Sequence, residues 1–302
     1  MLFIGFSLAF FASIASYILF TPSVLLAKKL GAIDIPNGRK LHSSPMPRLG
    51  GLTFFVSFSL ALAVFPIEIR FKIALLTGAS TIFLVGMLDD CMSISPFAKL
   101  TGQFLASALY LLILFSTPQD MASRLFSIAA LIWMIFLANS INLCDGLDGL
   151  ASGITLSQAI CLCTLSIIAD QRAVFFCSLL LAFSIVGFLP RNLPPAKTFM
   201  GDCGSLFLGF ILSALSTKLL YDTQSIAILF AIPLIFRIPT ADTVQSFFRR
   251  IIKGKNPFSA DRGHFHHKLV DLGFSKDCAA FLLICTSLFF GLLGVIVVWL
   301  YF

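Results

Sequence analysis

Apolar runs long enough to cross a lipid bilayer make up most of this chain, and they leave few folds open to it. A helix needs about 20 such residues to span the hydrocarbon core. Ten stretches meet or approach that length, at about 2–27, 49–66, 72–88, 97–116, 124–143, 150–169, 173–190, 203–219, 225–244 and 278–302. With 58% hydrophobic residues, 34 phenylalanines and a mean hydropathy of +0.99, the composition is far from that of a soluble domain. Lipid offers no partner to a backbone amide, so only helices or a closed barrel can span it. Runs this long and uniform predict helices. The expectation is an all-α, polytopic integral membrane protein of about ten transmembrane helices, forming one domain over 1–302. The first run has no basic leader and is too long for a cleaved signal peptide, so it is read as a retained span.

Lysine and arginine fall unevenly on the loops between these runs. Lys28, Lys29, Arg39, Lys40, Arg48, Lys99, Arg191, Lys197, Arg249, Arg250, Lys253, Lys255, Arg262, Lys268 and Lys276 flank one set of span ends. Arg70, Lys72, Arg124, Arg172 and Lys218 flank the other. Basic residues mark the cytoplasmic side. The longer, Gly- and Pro-rich loops of this multi-pass protein are therefore expected in the cytoplasm and both termini outside. The net charge of +7 is mostly this asymmetry. It suits anionic headgroups or phosphates, and the chain carries no aromatic-interleaved basic stripe of the nucleic-acid kind. The eight cysteines form no CxxC pair.

Polar groups gather at that same set of span ends. Asp89 and Asp90 close the third run. Neighbours in a helix do not share a face, so the two should do different work, one holding a metal or a basic partner and the other facing an acceptor. A carboxylate at a helix C-terminus opposes the helix dipole, which makes it an odd choice for stability alone. Asn139, Asn142, Asp145 and Asp148 recur every three residues, a spacing that predicts one polar helical edge. Gly146 and Gly149 are expected to break that helix and to let a ligand approach the backbone. Amide and carboxylate oxygens are hard ligands suited to Mg²⁺ or Mn²⁺. Asp202 lies between two glycines at the start of the eighth run, where helix amides favour anions; the bland reading of it, as of Ser205, is an N-cap. Asn192 and Lys197 just upstream favour a ligand site, with Lys197 a point charge for phosphate. All four histidines, His42, His264, His266 and His267, fall in the two longest loops on this face. Adjacent His266 and His267 are poorly placed to chelate one zinc ion. With Arg262 and Lys268 they suit a pyrophosphate-bearing ligand better.

Six motifs together carry a resemblance. DIPNGRKLHSSPMPRLGG (Asp34 to Gly51), LDD (Leu88 to Asp90), NSINLCDGLDGLASG, NLPPAKTFMGDCGS, DTVQSFFRR (Asp242 to Arg250) and NPFSADRGHFHHK occur in this order. They resemble the polyprenyl-phosphate N-acetylhexosamine-1-phosphate transferases of glycosyltransferase family 4, the membrane enzymes that start O-antigen, common-antigen and teichoic acid chains. The phospho-N-acetylmuramoyl-pentapeptide transferase is a cousin, and the HxHH segment is closer to the sugar-1-phosphate initiators. What the resemblance implies is transfer of a sugar 1-phosphate, expected to be GlcNAc-1-phosphate, from a UDP-sugar to undecaprenyl phosphate with release of UMP. It implies that Asn142 and Asp202 hold Mg²⁺ or Mn²⁺, and that Asp145, Gly146, Leu147 and Asp148 form the nucleotide pocket with Asn192 and Phe199. Asp89, beside Asp90, is the family's candidate for deprotonating or orienting the lipid phosphate. Lys40, His42 and Arg48 would take phosphate, and His264, His266 and His267 with Arg262 the sugar and pyrophosphate. The implied partners are the two substrates and membrane lipids; a homodimer is compatible with this and nucleic acid is not expected.

The competing class is a transporter or flippase with a cytoplasmic anion site. Transporters place polar groups at the midplane on broken, repeated helices. Here they cluster at one interface, and no repeat is visible. Arg237, inside the ninth run, has no counterpart in the resemblance and is expected to snorkel or to pair with a group such as Asp242.

Overall fold

The computed structural model describes residues 1–36, 45–115, 120–254 and 263–302. Among the described residues the chain is helical apart from one two-stranded ribbon. The elements are α1 (Leu2–Ile18), α2 (Phe20–Leu30), β1 (Ile33–Asp34), β2 (Met46–Pro47), α3 (Gly51–Val64), α4 (Ile69–Met92), α5 (Pro96–Phe115), α6 (Met121–Cys144), α7 (Leu150–Ile168), α8 (Arg172–Asn192), α9 (Gly201–Thr223), α10 (Ile226–Ile235), α11 (Arg237–Ile252), α12 (Phe265–Asp271) and α13 (Lys276–Tyr301).

Among the described residues seven helices are long and apolar enough to cross a membrane, and up to nine spans result if each of two bent pairs is one span. The chain is a multi-pass membrane protein. Each of the ten apolar runs gives a helix or a bent pair of helices, two runs being bent and one helix short. The first run bends by 44° between α1 and α2, and the ninth by 70° between α10 and α11. Proline explains both bends, because it has no N–H for the carbonyl four residues back and its ring clashes there. Pro22 leaves Ile18 without that bond, and Pro239 leaves Ile235 without it. The second run yields α3, a helix of only 14 residues. Leu49 and Gly50, which belong to the same apolar run, turn away into the segment that meets α9.

Helix α9 is the axis of the bundle. It is apolar all round between Asp202 and Lys218, the pattern of a helix with no solvent face, and 89% of its spanning window is buried. Helices α3, α4, α6, α7 and α8 pack around it, with α1, α5 and α13 further out. Its serines satisfy their hydroxyls within the helix, Ser205 on Gly201, Ser213 on Phe210 and Ser216 on Ser213. Neighbours fill the rest, with Tyr110 donating to the Ala214 carbonyl at 2.9 Å and the Trp133 indole to the Ser216 hydroxyl at 3.1 Å. By contrast, α13 is only 28% buried in its window and turns Phe281, Phe289 and Trp299 outward, as a lipid-facing helix does. Arg237 does not pair with Asp242; it lies exposed, its guanidinium 5.1 Å from the Phe290 ring centroid.

Small residues let the helices meet at backbone distance. A Cβ on Gly86 of α4 would fall 2.5 Å from the Asp202 carbonyl oxygen and from the Cys203 Cα, and one on Gly51 would fall 2.3 Å from the Gly204 Cα. We expect Gly86→Ala to cost about 1–3 kcal/mol, since backbone on the far side cannot yield. Gly31→Ala, with φ +73° and nothing within 4 Å, should cost only the left-handed strain, about 1–2 kcal/mol. Thermal unfolding in detergent should rank Gly86→Ala below Gly31→Ala. It should also show lost retention of the Asp90–α9 contact as faster proteolysis near residue 201. Equal melting temperatures would contradict a backbone-tight α4–α9 seam.

Candidate active site

The polar end of the bundle is assembled around the first turn of α9. Asp90, buried at the end of α4, accepts hydrogen bonds from the backbone N–H of Asp202 at 3.0 Å and of Cys203 at 2.9 Å. It thus caps a helix to which it does not belong, offsetting amides that have no partner in their own helix. Gly201 makes this approach feasible: its φ is +70°, and a Cβ there would lie 1.9 Å from the Arg48 carbonyl oxygen and 2.5 Å from the Asp90 carboxylate. The ribbon pairs Ile33 with Pro47 and Asp34 with Met46. Pro47 accepts from the Phe199 amide at 2.9 Å, and Gly50 and Gly51 donate to the Phe199 and Met200 carbonyls at 3.0 and 2.9 Å. These bonds hold Arg48 over the start of α9. Its guanidinium lies 3.3 Å from Asp90, 3.8 Å from Asp202 and 3.9 Å from Asp34. Burial draws the Arg48 pKa down, but Asp90, Asp202, Asp34 and Asp89 outweigh it and hold the group above its ordinary value.

The second cation is Lys99, one turn into α5. Its ammonium lies 3.0 Å from Asp89, contacts Asp202, and approaches the Asn142 amide oxygen at 3.5 Å. Asn142 is oriented from its other end, since its NH₂ donates to Asp202 at 3.0 Å and to the Ser205 hydroxyl at 2.8 Å. Its oxygen is therefore turned toward the cation. Asp89 and Asp90 do divide their work: Asp89 faces Lys99, and Asp90 faces Arg48 and the α9 amides.

The expected helical edge stops at Asn142, because α6 ends at Cys144. Asn139 turns away to Gln103, from which it accepts at 3.2 Å. Asp145 follows the helix as its cap residue, and Asp148 accepts from the Ala196 amide at 2.9 Å, tying the α6–α7 turn to the segment before α9. Gly149, at φ +72°, makes the turn into α7. Burial, then the carboxylates of Asp202 and Asp90, push Asp145 up to about 7 against the pull of Arg48.

A cavity of about 340 Å³ opens among these groups. Arg48, Asn142, Asp145, Gly146, Leu147, Asp148, Phe199, Asp202 and His267 line it, together with Asp34, Gly201, Lys276 and Asp277. Nine residues of the sequence reading thus share one space. Asn192 does not line it: it is buried behind, accepting from Ser152 at 2.6 Å and donating to the Thr198 carbonyl at 3.1 Å, so it braces the α8–α9 connection. Lys197 is exposed and also lies off the cavity wall. His264 and His266 are buried behind His267. Burial, then His267 and His264, lower the His266 pKa to about 4, so this ring is neutral near pH 7. Lys40, His42 and Arg262 lie outside the described residues.

Residues 72–220, from the first turn of α4 to the last turn of α9, match the family described as Glycosyl transferase family 4 and include every acidic group of the site except Asp34 and Asp277. The chain is 32% identical, over 95% of its length and 84% of the relative's, to the probable undecaprenyl-phosphate N-acetylglucosaminyl 1-phosphate transferase of Bacillus subtilis. It is 34% identical, over 93% and 87%, to the undecaprenyl-phosphate alpha-N-acetylglucosaminyl 1-phosphate transferase of Thermotoga maritima. The chain belongs to glycosyl transferase family 4. A third relative, the decaprenyl-phosphate N-acetylglucosaminephosphotransferase of Mycobacterium tuberculosis, is 30% identical over 87% of this chain and 75% of its own.

Sequence reasoning passed over Lys99 and Asp34 as site residues of this family 4 chain. Lys99 has a signal: a single cation one turn into an apolar helix, seven residues after a helix that ends in two acids. Asp34 opens the first motif of the resemblance, but only the ribbon shows that it meets Arg48.

Asp145 makes stability depend on pH. With a folded pKa near 7 against an ordinary 3.8, the folded protein keeps a proton that the unfolded chain has released between those values. Stability from this group therefore falls as pH rises through that window. Asp145→Asn should raise the melting temperature of the metal-free protein by several degrees at about pH 8 and by clearly less at about pH 5. A parallel offset at both values would rule out a raised Asp145.

Proposed function

We propose that this chain transfers an N-acetylhexosamine 1-phosphate, GlcNAc-1-phosphate first among candidates, from a UDP-sugar to undecaprenyl phosphate. The observation that carries the reading is the convergence of Asn142, Asp145 and Asp202 with Arg48 and Lys99 at one end of an apolar bundle, in a chain that shares nearly its whole length with relatives named for this transfer. A lipid phosphate arrives sideways from the membrane and a nucleotide sugar from water, so the two meet only at such an end. A phosphate oxygen of the acceptor attacks the sugar-bearing phosphorus. The bond from that phosphorus to the bridging oxygen breaks, UMP leaves with the electron pair, and the lipid diphosphate sugar remains.

Phosphoryl transfer is mostly positioning and charge stabilisation. Arg48 and Lys99 supply positive charge to the diphosphate from opposite sides of Asp202. The turn Asp145–Asp148 with Phe199 holds the nucleotide, and His267 and Lys276 close the wall beside it. A phosphate monoester is largely ionised near neutral pH, its second pKa being about 6; Asp89 therefore orients the acceptor more than it deprotonates it. Magnesium, or manganese, fits the donor set. A metal carried by a diphosphate asks for only one or two protein carboxylates, and the amide oxygen of Asn142 and the carboxylate of Asp202 already point at a cation, the ammonium of Lys99. When bound, the metal supplies charge neutralisation to the diphosphate.

The cavity end is read as cytoplasmic and both termini as extracytoplasmic, from the basic residues at that end. The geometry supports termini on one side: Gly5 of α1 packs against Phe176 near the start of α8, whose other end is beside the site, and α13 runs from Lys276 at the cavity to Tyr301. A transporter reading has less support, since polar groups at the midplane are not what the bundle gathers.

The test is incorporation of label from UDP-GlcNAc and a panel of UDP-sugars into undecaprenyl phosphate, with UMP released in equal amount. Asp202→Asn should lower turnover at least about a hundredfold while the protein still folds and inserts. Near-normal turnover at low magnesium would remove the metal role. Asp89→Asn should lower kcat strongly and leave UDP-sugar affinity within a few-fold; an equal loss of donor affinity would reject the division of labour. For orientation, Cys278 and Cys285 are first replaced, and single cysteines are then placed at Lys197 and Thr223. In intact cells Thr223→Cys should react with an impermeant maleimide and Lys197→Cys should not, and the reverse would invert the topology.

A further inference from the structure

His267 reaches the cavity through a chain of contacts that begins outside it, at Asp242 on the bent helix α11. Asp242 is 2% exposed. One carboxylate oxygen accepts the Phe265 backbone N–H at 2.8 Å, at the first turn of α12, and the other lies 2.8 Å from Nδ1 of His264. Ser246, one turn further along α11, is 3.4 Å from the same nitrogen. Arg249 donates to the Gly263 carbonyl at 2.6 Å and to Ser246 at 3.2 Å. One face of α11 thus holds the three residues that open the histidine segment. The His264 ring lies parallel to His266 at 5.9 Å between centroids, and His266 lies 4.3 Å from His267. His266 is seated on Gly146, where a Cβ would come within 2.2 Å of its Nε2. The stack therefore links α11 to the Cys144–Gly149 turn, and it ends on His267 at the cavity wall.

Which nitrogen of a neutral imidazole carries the proton is set by the partner of the other. A buried carboxylate against Nδ1 selects Nδ1–H on His264.

We propose that Asp242 is a positioning residue for the transfer reaction, holding His264 in its Nδ1–H form and seating the start of α12 so that His266 and His267 are held against the cavity. This rests on the reading that the cavity takes the UDP-sugar. The two carboxylate oxygens do separable work. In Asp242→Asn the amide oxygen still accepts the Phe265 N–H, but an NH₂ now faces Nδ1. The proton of His264 must move to Nε2 for that pair to hydrogen bond. In Asp242→Ala both contacts vanish.

The experiment combines kinetics with nitrogen NMR of ¹⁵N-histidine-labelled, full-length protein in detergent. The chain has four histidines, and His264→Gln assigns the signals of interest. The expected result is that wild type shows His264 protonated on Nδ1 and that Asp242→Asn exchanges the shifts of its two ring nitrogens. Asp242→Asn should lower kcat by roughly ten- to a hundredfold, the scale usual when the outer partner of a functional imidazole is changed, with the KM for UDP-GlcNAc within about threefold. Asp242→Ala should lose kcat and also raise KM, because the seat of α12 is lost. Wild-type turnover in Asp242→Asn, an unchanged protonation pattern on His264, or losses in both variants that merely follow their melting temperatures would each overturn the proposal. A wild type inactive with every UDP-sugar would end the functional reading instead. The nitrogen pattern, recorded without substrate, would still decide on Asp242.

Discussion

The contact on which the rest of the structure depends is the one between the Asp90 carboxylate and the first amides of α9. A helix that begins inside a bundle has N–H groups that neither water nor its own turns can satisfy. Asp90 meets two of them from a different helix, and its charge complements the positive end of the α9 dipole. Arg48 then balances the excess negative charge that Asp90, Asp202 and Asp34 create together. Had these carboxylates gathered without Arg48 and Lys99, burial would have favoured their neutral forms. The capping interaction and the charge pattern of the cavity are one arrangement.

This arrangement divides the site into two layers. The deeper layer consists of Asp89, Asp90, Lys99, Asn142 and Asp202 on the ends of long, backbone-tight helices, where positions are set by packing. The outer layer consists of the Asp145–Asp148 turn, the Arg48 segment and the histidine segment, which are held by hydrogen bonds between loops. The first layer is fixed by helix packing, and the second can change with the loops that carry it.

The apolar runs made the helical architecture and the membrane legible, because twenty apolar residues with a polar end have few other fates. The same signal misjudged lengths. An apolar window cannot distinguish Leu49 and Gly50, which join the site segment, from the helix that follows them. Pro22 and Pro239 stand in the sequence as breaks, but the angles that follow them come from packing. Among site residues, Asp202, Asn142 and Asp145 were legible because acids and amides beside spans are costly enough to require a reason. Asn192 and Lys197 stand beside that motif without facing the cavity, since adjacency along a loop says nothing about direction. Lys99 stands out as a lone cation in an apolar helix, but that it meets Asp89 and Asp202 is set by how α4 and α5 pack.

The central place of α9 has a consequence for how the protein is made. A membrane chain is threaded from its N-terminus, so α1 to α8 enter the bilayer before α9 is available. Until residue 201 has emerged, Asp90 has no amides to accept from, Lys99 has no Asp202, and the glycines at 51 and 86 face a gap. The acids and cations of the early spans are therefore partners in waiting, held by one another at the membrane surface. Insertion of α9 supplies the partners of Asp90 and Lys99, and α10 to α13 then pack on what it has joined. Truncation anywhere upstream of it leaves a set of spans with a charged, unfilled seam.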